Sequence, residues 1–228
     1  MSKKRAALWV AATILGPLLF YWFISGFYIG MWYARTGHRG PPTPEIMIQG
    51  MFVGVPPALF AVVALWWWIH KKKATFAQLY LTRSNAIAAD LAIGIALGVL
   101  WVAVYGLFDV VSWRDMFTLD VAKLASVPAT LSAGLCEEFL YRGFLFWLIA
   151  AVGGRKASRL AIASIAFGLA HRFWGPWGMV WTTILGFTFG LVVLWRGNVW
   201  PAVVAHTLLN LCIEPALLEK ALTGGFTA

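Results

Sequence analysis

The residues of this chain that could do chemistry are polar side chains inside long apolar stretches. They are Glu137, Glu138, Arg142, His171, His206 and Asn210. A charge at mid-membrane depth costs about 2.5–3.5 kcal/mol, so such residues are rare there and usually serve a function. A carboxylate and a histidine around one water molecule can form a general-base hydrolase. A second histidine with an asparagine can donate hydrogen bonds to a developing oxyanion. This set could carry out hydrolysis without a Ser or Cys nucleophile.

The spacing of the charged residues suggests two different roles. Glu138 and Arg142 are four residues apart, so on a helix they share one face and can pair. Glu137 lies about 100° around the same helix and has no cation three or four residues further along. We therefore predict that Glu138 and Arg142 form a structural clamp and that Glu137 is the reactive carboxylate. A buried ion pair that only locks helices together remains an alternative for the pair, but it does not explain Glu137.

Catalytic zinc is a second option for the same residues, because histidine and glutamate are its usual ligands. The ligands would be Glu137, His171 and His206, which are dispersed along the chain and include no H-E-x-x-H motif. Spacing alone leaves metal-activated and glutamate-activated water both open.

The composition describes the environment in which these residues must be held. Of the 228 residues, 61% are hydrophobic and 12% are charged, and the mean hydropathy is +0.78. Soluble domains carry about 25% charged residues, so a soluble domain, a disordered chain and a disulfide scaffold are excluded. The net charge of +9 does not indicate a nucleic-acid partner, because the basic residues flank the apolar runs. The pattern is typical of a multi-pass protein that contacts membrane lipids.

We predict an all-α fold, a polytopic transmembrane helix bundle of about seven spans. The spans are expected at residues 7–33, 47–69, 86–108, 121–152, 159–171, 178–195 and 199–222. More of the Lys and Arg residues fall on one side of this arrangement, which indicates a cytoplasmic N-terminus, in the plasma (inner) membrane for a prokaryotic chain. Seven spans would then place the C-terminus outside. A break at Pro128 or a half-span near His171 would move the C-terminus to the cytoplasmic side.

Depth along the helices predicts that the polar residues meet. At 1.5 Å per residue, Glu137 lies about 22 Å from the cytoplasmic end of its span, and His171 lies about 18 Å from the end of its own. His206 and Asn210 lie at about 12 and 18 Å. The fifth span is too short to cross about 30 Å of hydrocarbon, so the turn after it should lie below the outer surface and line a water-containing cavity.

Three short motifs resemble those of the CAAX-protease and bacteriocin-processing (CPBP, ABI) family, the family of the type II prenyl-protein endopeptidases. Glu137-Glu138-Phe-Leu-Tyr-Arg142 is similar to its E-E-x-x-x-R motif. Phe167-Gly-Leu-Ala-His171 resembles F-x-x-x-H, and His206-Thr-Leu-Leu-Asn210 resembles H-x-x-x-N/D. The resemblance predicts a catalytic helix core at 121–212, preceded by a three-span region at 1–120 without a recognised motif. Residues 213–228 would form the end of the last span and a tail.

The resemblance implies an intramembrane endopeptidase that acts on a membrane-associated protein or peptide. By that analogy Glu137 and His171 would activate the water, and His206 and Asn210 would form the oxyanion site. Glu138 and Arg142 would support them. We favour glutamate-activated water and keep zinc as the alternative. The resemblance does not establish that the substrate is lipidated or carries a CAAX sequence.

Three rival interpretations remain. A non-catalytic membrane regulator or immunity protein could retain the fold, although the intact polar set argues against it. A proton or ion transporter would also place Glu and His in the membrane, but no inverted repeat is detectable. A cysteine protease would use Cys136, whose apolar and anionic surroundings make a thiol inert.

Overall fold

The computed structural model describes residues 4, 8, 30–37, 71, 74–108, 110–119, 121–171 and 175–222. For residues 121, 122, 125, 126, 129 and 214–222 it describes the backbone alone. The spans predicted at 7–33 and 47–69 lie almost entirely outside the described residues. Their existence stays a prediction.

All regular structure in the described ranges is helical, which confirms the all-α class for this part of the chain. The elements are α1 (Ile87–Leu107), α2 (Trp113–Phe117), α3 (Val121–Glu138), a π-helix (Phe139–Leu145), α4 (Phe146–Ala151), α5 (Lys156–Ala170), α6 (Gly175–Arg196) and α7 (Trp200–Leu222). Within these ranges, α1 and α6 are long and apolar enough to cross a membrane. The count of seven spans is not confirmed.

The helix that carries the paired glutamates is continuous but not uniform. α3, the π-helix and α4 follow one another without interruption from residue 121 to 151. Pro128 lies inside α3, so the chain does not break there. The seven-residue π-helix, which no sequence pattern predicted, begins directly after Glu138. Single π turns inside α-helices frequently mark functional sites.

The short helix α2 was also not predicted, although the sequence carries a signal for it. The Ser112 hydroxyl accepts a hydrogen bond from the Asp115 backbone N–H at 3.1 Å, and it donates one to the Asp115 carboxylate at 2.7 Å. This is a variant of the S-x-x-E capping box, which satisfies the free N–H groups of a first turn. The Lys123 ammonium donates to the carbonyls of Asp115 and Met116, which fastens the end of α2 to α3.

Glycines allow the helices around the site to approach closely. A Cβ atom on Gly94 of α1 would lie 2.7 Å from the Pro201 carbonyl oxygen of α7. A Cβ atom on Gly186 of α6 would lie 3.1 Å from the Ser164 Cα atom of α5. Small residues at such crossings are the common way in which membrane helices pack. Helix α1, the third predicted span of the 1–120 region, is therefore packed directly on the motif-bearing part of the chain.

A polar cluster fixes where α7 begins. Asp90, buried in the first turn of α1, accepts hydrogen bonds from Arg196 Nε at 2.6 Å and from Asn198 Nδ2 at 2.8 Å. The side-chain oxygen of Asn198 in turn accepts from the Trp200 N–H at 3.0 Å. Since His206 lies about 9 Å further along α7, this cluster sets the height of its imidazole in the bundle.

Candidate active site

The paired glutamates sit at the junction between α3 and the π-helix. Arg142 Nη1 lies 2.9 Å from Glu138 Oε1, and both side chains are fully buried. Arg142 Nη2 also donates to the Gly186 carbonyl of α6 at 3.2 Å. The ion pair expected from the four-residue spacing is thus present, and it joins this helix to α6.

The Glu138 carboxylate has a second partner that the spacing could not show. His206 Nδ1 of α7 lies 2.9 Å from the same Oε1 atom. A carboxylate oxygen accepts, so Nδ1 of His206 carries the hydrogen and donates it. Nε2 of His206 consequently points to the other side of the ring, away from Glu138.

The Glu137 carboxylate faces both imidazoles. Its Oε2 atom lies 3.8 Å from His171 Nε2 and 3.8 Å from His206 Nε2. Both distances are beyond direct hydrogen-bonding range, and a polar separation of this size is typical of groups bridged by a third atom. Oε2 is buried and has no hydrogen-bond partner among the described residues. Two imidazole nitrogens, one from the residue that ends α5 and one from α7, therefore lie near the same carboxylate oxygen.

Exposure separates the cluster into an accessible part and a sealed part. The side chains of Glu137 and His171 are 32% and 22% exposed, whereas those of His206 and Glu138 are 2% and 0% exposed. A substrate would thus reach Glu137 and His171 first. The buried side chains of His206 and Glu138 keep their hydrogen bond without competition from water.

His171 is oriented by its own helix. Its Nδ1 atom lies 2.8 Å from the Phe167 carbonyl oxygen, one turn earlier. A carbonyl accepts, so Nδ1 donates and Nε2 is left to face Glu137. The tautomer of His171 that presents Nε2 to Glu137 is therefore set by a contact with the backbone.

Phe167 is a site residue that was not among the predicted site residues, although it begins the F-x-x-x-H motif. Its ring lies 4.4 Å from the Arg142 guanidinium carbon and 4.5 Å, between centroids, from the His171 ring. The His206 ring meets it edge-on at 5.7 Å. One fully buried aromatic ring thus contacts the structural cation and both imidazoles.

Asn210 is placed near the cluster but is not bonded to it. It lies one turn after His206 on α7 and is half-buried. Its amide makes no hydrogen bond to the other site residues that the structure describes. The turn was expected at residues 172–177, after the short α5. Residues 172–174 lie outside the described ranges, and 175–177 already belong to α6.

The geometry of the cluster also bears on the zinc alternative. A tetrahedral zinc with ligand atoms at about 2.0–2.1 Å would hold those atoms about 3.4 Å apart. Glu137 Oε2 is 3.8 Å from each imidazole nitrogen, which is wider. Within the described ranges, no three His, Cys, Asp or Glu side chains are grouped to hold a metal ion. As placed, Glu137 Oε2 is therefore farther from the imidazole nitrogens than zinc ligands are from one another.

Comparison with known proteins gives one match. Residues 121–212 match the family model described as Rce1-like, the type II CAAX prenyl endopeptidase Rce1-like family. The matched segment starts with α3 and ends within α7, so it contains the whole cluster. No curated protein and no solved structure matches the chain.

Proposed function

We propose that the chain is an intramembrane endopeptidase in which Glu137 activates the hydrolytic water, since residues 121–212 match the model of the Rce1-like family of type II CAAX prenyl endopeptidases. This match confirms the resemblance found in the sequence. The observation that carries the proposal is the position of Glu137 Oε2, equidistant at 3.8 Å from the Nε2 atoms of His171 and His206.

In this mechanism a water molecule occupies the point between these three atoms. It donates one hydrogen bond to Glu137 Oε2 and a second to His171 Nε2, both of which can accept. Its oxygen attacks the carbonyl carbon of the scissile peptide bond while a proton passes to Glu137. Collapse of the tetrahedral intermediate breaks the C–N bond, and Glu137 returns the proton to the leaving amine. No covalent intermediate forms with the protein.

The developing oxyanion is stabilised from the α7 side. With Nδ1 hydrogen-bonded to Glu138, a protonated His206 presents Nε2–H toward the reaction centre. Asn210, one turn along, supplies the second donor once a substrate is bound. Two carboxylates and one guanidinium leave a net charge of −1, so one added proton makes the buried cluster neutral.

The proposed substrate is a membrane-associated protein or peptide, which the family match implies in general terms. Glu137 and His171 are partly exposed side chains of the site, so such a chain would meet them first, although Glu137 Oε2 itself is buried. The predicted cytoplasmic N-terminus is retained as part of the proposal.

The test uses the full chain, purified and reconstituted in vesicles with a lipid-anchored peptide, and reads products by mass spectrometry. We expect internal cleavage by wild type and by Cys136→Ser, and loss of at least about 100-fold in His171→Ala, since general-base groups contribute 10²–10⁴-fold. A folded wild type that cleaves neither prenylated nor acylated peptides would favour the non-catalytic regulator instead.

The zinc alternative has its own test in the same vesicles. Activity that survives exhaustive chelation supports glutamate-activated water. Activity that chelation abolishes and only zinc restores would replace that mechanism by a metal-dependent one.

A further inference from the structure

A cavity lies away from the catalytic cluster, at the end of α4 and the beginning of α5. Its volume is about 440 Å³, and its polar lining comes from Gln78, Tyr80 and Arg159. Arg159 and His171 are at opposite ends of α5, about 18 Å apart along the helix. The cavity therefore has no part in peptide hydrolysis at Glu137, and the ligand it binds is independent of the proposed function.

The guanidinium of Arg159, the cationic group of this cavity, makes only long hydrogen bonds to the protein. Arg159 Nε lies 3.4 Å from the Gly154 carbonyl oxygen, and Nη1 lies 3.5 Å from the Tyr80 hydroxyl. Both distances are at the outer limit of hydrogen bonding. No carboxylate of the described residues pairs with this guanidinium, which has five N–H donors in a planar fork. A fork of this kind matches the oxygens of a phosphate group.

The Tyr80 hydroxyl is held beside Arg159 by an unusual backbone. Tyr80 has φ +55°, in the left-handed region that favours glycine. Its carbonyl accepts a hydrogen bond from the Val199 N–H at 3.0 Å, and its ring meets Phe146 edge-on at 6.0 Å. Leu79, the preceding residue, is completely buried. Residues in strained conformations cluster at ligand sites, where the surrounding structure holds them in place.

The remaining lining is apolar and suits the hydrophobic part of an amphipathic ligand. It comes from Trp147, Ala150 and Ala151 of α4 and from Ala77. Tryptophan is enriched at the membrane interface, where one end of a lipid is polar and the other apolar. A further cation, Arg155, is exposed just before α5, and no described carboxylate pairs with it.

We propose that this cavity binds the phosphate headgroup of an anionic phospholipid, with Arg159 and Tyr80 on the phosphate oxygens and Trp147 against the glycerol end. The shared chemistry is a phosphate anion, so free phosphate is the other possible source. The apolar lining favours the lipid. Basic pockets at the ends of membrane helices are a known physical basis of such selectivity.

The experiment measures ligand binding to the purified full chain by native mass spectrometry and by the midpoint of thermal unfolding. The ligands are phosphatidylglycerol, phosphatidylcholine and inorganic phosphate, each titrated in detergent. Wild type should bind phosphatidylglycerol at least about tenfold more tightly than phosphatidylcholine. Arg159→Gln should lose about tenfold in phosphatidylglycerol affinity, the loss of a charge-assisted contact.

Lys156→Gln is the matched control, because it removes the same charge from the same turn of α5 without touching the cavity. It should keep the preference for phosphatidylglycerol. Tyr80→Phe, which removes only the hydroxyl, should weaken binding about threefold and serves if Arg159→Gln fails to fold. If inorganic phosphate raises the midpoint of thermal unfolding as much as the lipid does, and this rise also depends on Arg159, the site binds free phosphate and the lipid proposal is overturned. Equal losses in Arg159→Gln and Lys156→Gln, or equal binding of the two lipids, would overturn it as well.

Discussion

The Oε1 atom of Glu138 lies 2.9 Å from Arg142 Nη1 and 2.9 Å from His206 Nδ1. One carboxylate oxygen thus connects the structural cation of the π-helix to an imidazole of α7. The glutamate that sequence spacing assigns to a clamp also determines which nitrogen of His206 faces Glu137.

Glu138→Gln should therefore damage both stability and activity. The neutral amide leaves the buried Arg142 guanidinium without its charge partner, and breaking a buried pair from one side costs about 3–5 kcal/mol. Thermal unfolding in vesicles measures this loss. A matched variant, Glu137→Gln, should unfold within about 1 kcal/mol of wild type, because Glu137 stands beyond hydrogen-bonding distance of both imidazoles. Equal destabilisation of the two variants would contradict the division of roles.

Arg142→Lys should fail to rescue the clamp although it keeps the charge. A lysine ammonium is a point charge without the planar fork that reaches Glu138 and the Gly186 carbonyl together. It also loses the stacking of the guanidinium on Phe167. We expect at least about 2 kcal/mol of destabilisation, measured by unfolding midpoint. Wild-type stability in Arg142→Lys would show that charge alone suffices.

Phe167→Leu should lower turnover more than substrate binding. The leucine leaves the core apolar but removes the ring that contacts His171 and His206. We expect kcat to fall about tenfold, which corresponds to an increase of about 1.4 kcal/mol in the activation free energy, because the imidazoles are less well oriented. KM should stay nearly unchanged. Phe189→Leu is a suitable comparison because that ring contacts His206 but lies on α6. A change in KM alone would place Phe167 in substrate binding rather than in positioning.

Gly168→Ala should loosen the packing of α5 on α6. The added Cβ atom would lie 2.7 Å from the Met179 carbonyl oxygen, which is backbone and cannot turn aside. Overpacking of this kind costs about 1–3 kcal/mol. Gly30→Ala is the control, since no residue that the structure describes lies within 4 Å of a Cβ atom there. Similar unfolding midpoints for both variants would show that the α5–α6 crossing can adjust.

Local spacing predicted the parts of the structure that depend on local geometry. The Glu138–Arg142 pair follows from residues four apart on one helix, and the long helices from α1 to α7 follow from apolar runs. The bond from Glu138 to His206 could not be predicted, because it depends on how α3 and α7 cross. The π-helix was missed because its apolar sequence also fits an α-helix. The left-handed Tyr80 was missed because tyrosine carries no signal for that conformation.

The most direct test of the central claim is the turnover rate of Glu137→Gln in vesicles, measured beside Cys136→Ser. If Glu137 takes the proton of the attacking water, the Gln variant remains folded and loses at least about 10²-fold in kcat, while the Ser variant keeps wild-type turnover. Full turnover in a folded Glu137→Gln variant would contradict the account.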